Sequence, residues 1–337
     1  MELISPSEAN LRRAGACIAS GGLVALPTET VYGLGANAFD ARAVARIFGA
    51  KARPSFDPLI VHIAALGDVE RVALPPGPTA RILMERLWPG PLTLILPRRP
   101  DLPDLVTSGL PTVALRLPLH PVARAIISYS GTAVAAPSAN PFGYLSPTRA
   151  EHVARMLGEK VDLIVDGGPC PIGVESTVLD VTVDPPVVLR PGGMEIEAIE
   201  ALIGRVAVGG VGSAPPVPKS PGQLNSHYAP RTPLFLVSAG KLAERADAVR
   251  SEAAERGRLA ALLFDDASRG RLGAAASNFA EIRILSPRGD SLEAAANLFS
   301  HLHELDELGV DAIWAERAPE RGLGRAINDR LYKASTK

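Results

Sequence analysis

The 337-residue sequence has no apolar run near the roughly 20 residues that a membrane helix needs. Its opening stretch, MELISPSEANLRRAG, carries no apolar core of a secretory signal. A soluble cytoplasmic protein is therefore expected. Cysteine is scarce: Cys17 and Cys170 stand alone, too few for a disulfide framework and without metal-ligand spacing. Charge of one sign is missing too, with 35 Lys+Arg against 36 Asp+Glu. That balance excludes a whole-surface electrostatic trap for nucleic acid or anionic membrane, while local basic pockets remain open.

Several chemistry-bearing motifs are also absent. No G-x-x-x-x-G-K-[ST] phosphate loop occurs, and Gly33-Leu34-Gly35 and Gly322-Leu323-Gly324 lack the third glycine of the dinucleotide fingerprint. His301 and His303 would stand about 200° apart on a helix and could not share an ion, so they read as solvated helix histidines. Ser138 and Ser176 do not sit in G-x-S-x-G turns, which leaves a hydrolase triad unsupported.

What is present is a folded, two-domain chain. Hydrophobic residues make up 47 % and charged residues 21 %, ample for packed cores. The 31 Gly and 31 Pro exceed the average combined share of about 12 %, and read as shaped loops on a scaffold. Ser5 or Ser7 can cap a helix running to about Ser20, stopped by Gly21-Gly22. Strands are expected at Leu23–Pro27, Leu59–Ala64, Thr93–Leu96, Val113–Leu117, Ala133–Ala136, Leu163–Val165, Thr177–Val181 and Val187–Leu189. Helical patterns lie near 40–50, 79–88, 121–128, 148–158 and 195–203. Strands outnumber helices, so residues 1–205 should form an α/β domain: a twisted mixed sheet with flanking helices.

Residues 206–232 are dense in Gly, Pro and Ser without a sustained period, and read as a linker. His227, Tyr228 and Arg231 within it are more than a plain spacer needs. From 233 to 337 the pattern predicts a smaller Rossmann-like α/β domain with a parallel sheet. Its strands are expected at 234–238, 259–264, 281–286 and 312–317, and its helices at 241–257, Ser291–Leu308 and from about Leu323. On the second helix Leu292, Ala295, Phe299, Leu302 and Leu305 form an apolar stripe.

Cations, hydroxyls and rigid loops recur at four places in the first domain. PTETVYGLGANA (27–38) supplies Thr28, Thr30 and Tyr32, with glycines that let backbone amides approach a ligand. KARPSFDPLIVHI (51–63) holds Lys51 and Arg53 ahead of Pro54, a setting that favours extended backbone with both cations on one face. TVALRLP (112–118) places Arg116 in an apolar strand. APSANPFGYLSPT and GVESTVLDV…VVLRPG contribute Ser138, Asn140, Ser146, Ser176, Thr177 and Arg190. Taken singly, His62 fits a core histidine, Arg116 could pair with a structural carboxylate such as Glu175, and SANP is an ordinary turn. Jointly they suit a polyanionic ligand, because a buried guanidinium needs a carboxylate or ligand partner.

In this order PTETVYGLGANA, KARPSFDPLIVHI, WPGPLTLIL, ALRLP, APSAN, GVESTVLD and LRPG resemble the YrdC-type domain of the threonylcarbamoyl-AMP synthases. HYAP (227–230), the C-terminal domain and GLGRAINDRL (322–331) resemble the long form of that family. The resemblance implies that L-threonine, bicarbonate or CO2, and ATP are condensed to threonylcarbamoyl-AMP and pyrophosphate. The product would feed the N6-threonylcarbamoyl modification of adenosine 37, in tRNAs reading codons that begin with A, through a separate transferase. Residue by residue, it implies threonine contacts from Thr30, His62, Arg116, Ala136 (backbone) and Ser176. ATP contacts would come from Lys51, Arg53, Asp57, Thr112, Ser138, Asn140, Ser146, Arg190 and Tyr228. Lys51, Arg53 and Arg116 would carry the catalytic charge, and the linker would act as a lid. Mg2+ would be held mainly by ATP phosphates and water, with no resident metal site. Asp57 stands where many relatives carry Asn, and GQLNS replaces the commoner G-M-K-Y-[RK] before HYAP.

Two other readings use the same residues. A double-stranded RNA or ribosome-associated module would exploit the basic concavity, and weak RNA binding is compatible with either function; neutral charge and the lack of a Lys/Arg run argue against RNA as the main ligand. Carbamoyl transfer in hydrogenase maturation uses a related domain, but with zinc-finger cysteines that two isolated cysteines cannot supply. The C-terminal domain could bind another protein.

Overall fold

Residues 1–209, 218–224, 227–238, 241–245, 251 and 257–336 are described by a computed structural model. They divide into one unit of Met1–Phe142, Ser146–Pro171 and Glu175–Leu224, and a second of Gly143–Leu145, Ile172–Val174 and Asn225–Lys337. Among them no helix is long and apolar enough to cross a membrane.

The first unit is built on one mixed sheet. Its strands are β1 (Glu2–Ile4), β2 (Val24–Leu26), β3 (Gly33–Asn37), β4 (Ile60–His62), β5 (Leu92–Pro97) and β6 (Thr112–Arg116). They continue with β7 (Val134–Ala135), β8 (Leu163–Val165), β9 (Thr177–Asp180), β10 (Val187–Arg190) and β11 (Ala207–Val208). The spatial order is β1-β8-β2-β3-β7-β4-β6-β5-β9-β10-β11. Parallel pairs such as β4–β6 and β5–β9 alternate with antiparallel ones such as β5–β6 and β9–β10.

Both faces are covered. Successive residues of a strand point to opposite sides, and β2 divides accordingly: Ala25 enters one apolar cluster, while Val24 and Leu26 enter another. The second cluster is closed by α1 (Glu8–Ala19) and α6 (Pro121–Ser130) through Ala14, Ile18, Ala123, Ile126 and Ile127. On the other face α2 (Ala41–Lys51), α4 (Pro78–Leu87), α7 (Ala150–Leu157) and α8 (Ile196–Ile203) bury Ile47, Leu83, Val153 and Ile199. Local chemistry starts these helices: the Ser7 hydroxyl caps α1, the Asp40 carboxylate caps α2, and Pro78 and Pro121 occupy first turns. Short helices α3 (Val69–Val72) and α5 (Asp104–Thr107) lie in connections.

Three strands escape the sequence patterns. β1 pairs with β8 in parallel along only three residues. β11 falls in the segment read as linker, and extends the sheet edge beside β10. β3 is the glycine motif GLGAN, which reads as a loop because glycine is poor in strands. Its geometry explains the choice: a Cβ on Gly35 would stand 2.8 Å from Leu26 Cδ2 and 2.9 Å from Val134 Cγ1.

The second unit holds a parallel sheet of β12 (Leu234–Val237), β13 (Leu259–Leu263), β14 (Glu281–Ile284) and β15 (Ala312–Glu316), in the order β12-β15-β13-β14. Helices α9 (Asp266–Leu272), α10 (Ser291–Glu307) and α11 (Gly324–Ser335) accompany it. Most of the helix expected over 241–257 lies outside the described residues. Ala295, Phe299, Leu302 and Leu305 of the apolar stripe are buried, whereas Leu292 is 52 % exposed in the first turn of α10. His303 is not solvated as its spacing suggested: it is buried, edge-on to Tyr144.

Candidate active site

Register brings the first group together. β4 and β6 run parallel with His62 opposite Arg116. Arg116 is buried, and its guanidinium donates from Nε to Gly90 O (3.2 Å), from Nη1 to Thr30 Oγ1 (2.9 Å) and from Nη2 to Glu29 Oε1 (2.6 Å). The expected structural carboxylate is thus Glu29 rather than Glu175, because the PTET turn lies against the end of β6. A guanidinium has more N–H donors than these three acceptors take, so part of its fork is left for a ligand. Thr28 locks the turn: its hydroxyl contacts Thr30 Oγ1 at 2.8 Å, donates to Val31 O and accepts from the Thr30 and Val31 amides.

Burial, and then the neighbouring Arg116 charge, depress the His62 imidazole to about 3. It is a neutral ring at physiological pH, and its Nδ1 is buried without a hydrogen-bond partner among the described residues. Burial pushes the Glu29 carboxyl up, but the Arg116 charge and hydrogen bond outweigh it and hold the group below its ordinary value. Ala136 donates its N–H to Ile60 O at 2.9 Å, which fixes that backbone beside β4. Ser176 Oγ lies 2.7 Å from Thr93 Oγ1 and 3.2 Å from Arg190 Nη2, linking this group to the next.

The second group gathers cations. Lys51 is the last residue of α2, and Ala52 caps the helix in the left-handed region at φ 52°. The extended Lys51–Arg53 segment expected from Pro54 is therefore absent. The restriction by proline acts only on Arg53, and the helix runs to Lys51, two residues before it. Lys51 Nζ donates to the carbonyls of Ser138 (2.6 Å) and Asn140, with Asn140 Oδ1 at 3.4 Å, so it pins the APSAN loop. Burial, and then Arg53, lower the Lys51 ammonium well below its usual value. Arg53 donates to Asp57 O and Pro58 O and pairs with Asp57 Oδ2 at 2.8 Å. Asp57 thus faces an arginine. Burial raises its carboxyl above the usual range even against Arg53, Lys51 and Arg190.

Arg190, at the end of β10, donates from Nε and Nη2 to Ser176 O and from Nη1 to Pro221 O. Ser146 donates its hydroxyl to Glu175 Oε1. The 175–177 backbone is crossed closely by Gly192, where a Cβ would stand 2.3 Å from Glu175 O.

Thr30, His62, Arg116, Ala136 and Ser176 thus lie around one end of the sheet, joined through Ser176 to the Lys51, Arg53, Asp57, Ser138, Asn140, Ser146 and Arg190 group. Thr112 is placed apart from Arg116, at the other end of β6, opposite Pro97. Tyr228 belongs to the second unit. Its backbone is left-handed at φ 62°, and its ring packs on His227 and Phe299 with the Arg330 guanidinium 4.9 Å from its centroid. Glu29 and Thr93 join the site although neither stands among the expected site residues, and Glu175, expected beside Arg116, instead accepts from Ser146. The signal was there for Glu29, which sits between two hydroxyl residues of a motif whose threonines alone drew attention.

A buried guanidinium, a neutral imidazole and hydroxyls around one mixed sheet define an α/β domain with a buried, polar, charge-lined site. A family model described as telomere recombination (Sua5/YciO/YrdC) matches residues 16–192, and one described as the threonylcarbamoyl-AMP synthase C-terminal domain matches 194–336. The threonylcarbamoyl-AMP synthase of Pyrococcus abyssi is 45 % identical over 332 residues, covering 97 % of this chain and 94 % of that protein. That of Bacillus subtilis is 45 % identical over 334 residues, covering 98 % and 94 %. The crystal structure of P. abyssi Sua5 complexed with L-threonine superposes with a TM-score of 0.91 at 42 % identity, over 99 % of this chain and 98 % of that one. The chain belongs to the threonylcarbamoyl-AMP synthase family.

Proposed function

We infer that this chain is a threonylcarbamoyl-AMP synthase, an enzyme that joins L-threonine, CO2 or bicarbonate, and ATP. The observation that carries the reading is the placement of Arg116, Thr30 and His62 at one end of the sheet, linked through Ser176 to the buried Lys51–Arg53–Arg190 cluster. Threonine, once its ammonium has lost a proton, adds through nitrogen to CO2. A carbon–nitrogen bond forms and a second proton is released, giving a carbamate. A carbamate oxygen then attacks the α-phosphorus of ATP. The new oxygen–phosphorus bond replaces the one to the bridging oxygen, and pyrophosphate leaves with that electron pair. No covalent enzyme intermediate is needed, so the protein's task is to hold anions at reacting distance and neutralise their charge.

In this reading Arg116 grips the threonine carboxylate by its free fork, and Thr30, the neutral His62 ring, Ser176 and the Ala136 backbone surround the amino acid. Lys51, Arg53, Asp57, Ser138, Asn140, Ser146 and Arg190 serve the ATP side, Lys51 chiefly by shaping the APSAN loop. The resemblance also gives Thr112 to ATP, although it stands at the far end of β6 from Arg116, and gives Tyr228 to it by the linker closing as a lid. Mg2+ arrives with ATP as part of the substrate, held by phosphates and water. Among the described residues no group of three or more His, Cys, Asp or Glu is placed to hold a metal ion. The product would pass in the cytoplasm to a tRNA threonylcarbamoyl transferase, with weak RNA contact at most. Residues 1–205 form the catalytic domain in this scheme, 206–232 the lid and 233–337 the appended α/β domain.

The test is pyrophosphate release with threonine, bicarbonate and MgATP, omitting each in turn. Release that depends on all three is expected. Release without threonine, or salt-dependent RNA binding with no turnover, would overturn it.

A further inference from the structure

Glu29 gives one of its two oxygens to the Arg116 guanidinium. Oε1 takes the Arg116 Nη2 hydrogen bond at 2.6 Å, while Oε2 is buried with no hydrogen bond of ordinary geometry among the described residues, the backbone amides of Glu29 and Leu119 acting on the carboxyl only more weakly than Arg116. An unsatisfied buried carboxylate oxygen is costly, so such an atom calls for a donor that arrives with a ligand. Arg116 is half-used in the complementary sense, with donors left over beside the same carboxylate. Side by side, the pair offers an acceptor and a donor, both desolvated and of opposite charge. An α-amino acid presents the matching pattern, an ammonium and a carboxylate on neighbouring atoms. Laid head-to-tail across the ion pair, a zwitterion would satisfy both.

We propose that Glu29 is a further threonine-binding residue, receiving the substrate's α-ammonium on Oε2 while Oε1 orients Arg116 for the carboxylate. The inference rests on the synthase reading and deepens it: Arg116 alone selects carboxylates, and Glu29 makes the pocket selective for α-amino acids. Arg116 keeps Glu29 ionised at neutral pH, as an ammonium acceptor must be. The contact also sets where the nitrogen stands when it meets CO2.

The test separates this role from mere support of Arg116. Two probes are used on the full chain: L-threonine, and (R)-3-hydroxybutyrate, which keeps the carboxylate and hydroxyl but has no ammonium. Glu29→Gln should weaken threonine binding by calorimetry on the order of 30-fold and change that of (R)-3-hydroxybutyrate by less than about threefold. Equal loss for both compounds, or no loss for either, overturns the ammonium contact. The unaltered chain supplies an independent arm that needs no variant to fold. It should prefer threonine over (R)-3-hydroxybutyrate at least tenfold, and equal affinity overturns the proposal. A chain that bound neither compound would remove the synthase reading as well, whereas equal loss removes only this one.

Discussion

His62 and Arg116 face each other across the β4–β6 ladder, an imidazole and a guanidinium on adjacent parallel strands. Burial first, and then repulsion from the Arg116 charge, keep the imidazole neutral, at about 3. A folded value below the unfolded one, ordinarily near 6.5, means that the unfolded chain binds the proton more readily. The stability this group contributes is complete above that unfolded value and is lost as pH falls toward 3. By pH 5 the loss is about 2 kcal/mol. His62→Asn should therefore lose less stability than the parent between pH 7 and 5, read by urea unfolding at both. The His62 ring should show no NMR titration from pH 5 to 8.

Arg116→Lys keeps a charge but loses the planar fork. Threonine KM should rise roughly a hundredfold, about 3 kcal/mol for charge-assisted hydrogen bonds. The KM for ATP should stay within about threefold, checked by steady-state pyrophosphate release. Equal rises for both substrates would argue that Arg116 only supports the fold.

Lys51→Met removes the ammonium that holds the Ser138 and Asn140 carbonyls. Those carbonyls lose a charged donor, so thermal unfolding should fall by several degrees, for about 2 kcal/mol. ATP KM should rise at least tenfold as the loop relaxes, with threonine affinity in calorimetry little changed.

Gly192→Ala tests a backbone contact. A Cβ would press on Glu175 O and the Ser176–Thr177 peptide at 2.3–2.4 Å. Overpacking of this kind costs about 1–3 kcal/mol. Because the displaced segment anchors Arg190, activity should drop more than stability predicts, measured by turnover against unfolding midpoint.

Much of this was legible in the sequence. The eight expected strands of the first domain all appear, because apolar β-branched runs bounded by Gly and Pro have few alternatives. What escaped follows from physics that composition hides. GLGAN is a strand because its neighbours press on it, not because glycine favours one. Lys51 ends a helix because Ala52 accepts a left-handed backbone. The partner of Arg116 depends on which carboxylate the fold brings near: Glu175 is the expected one, and Glu29 is the one found. His303 is dry because Tyr144, far away in sequence, packs edge-on against it.

His62, Arg116 and Arg190 are carried by strands of the central sheet, not by excursions from it. Heat or urea that spares the central sheet should leave these three side chains in place on it. Turnover should not outlast the order of that sheet, whatever the second unit with its own core does on heating.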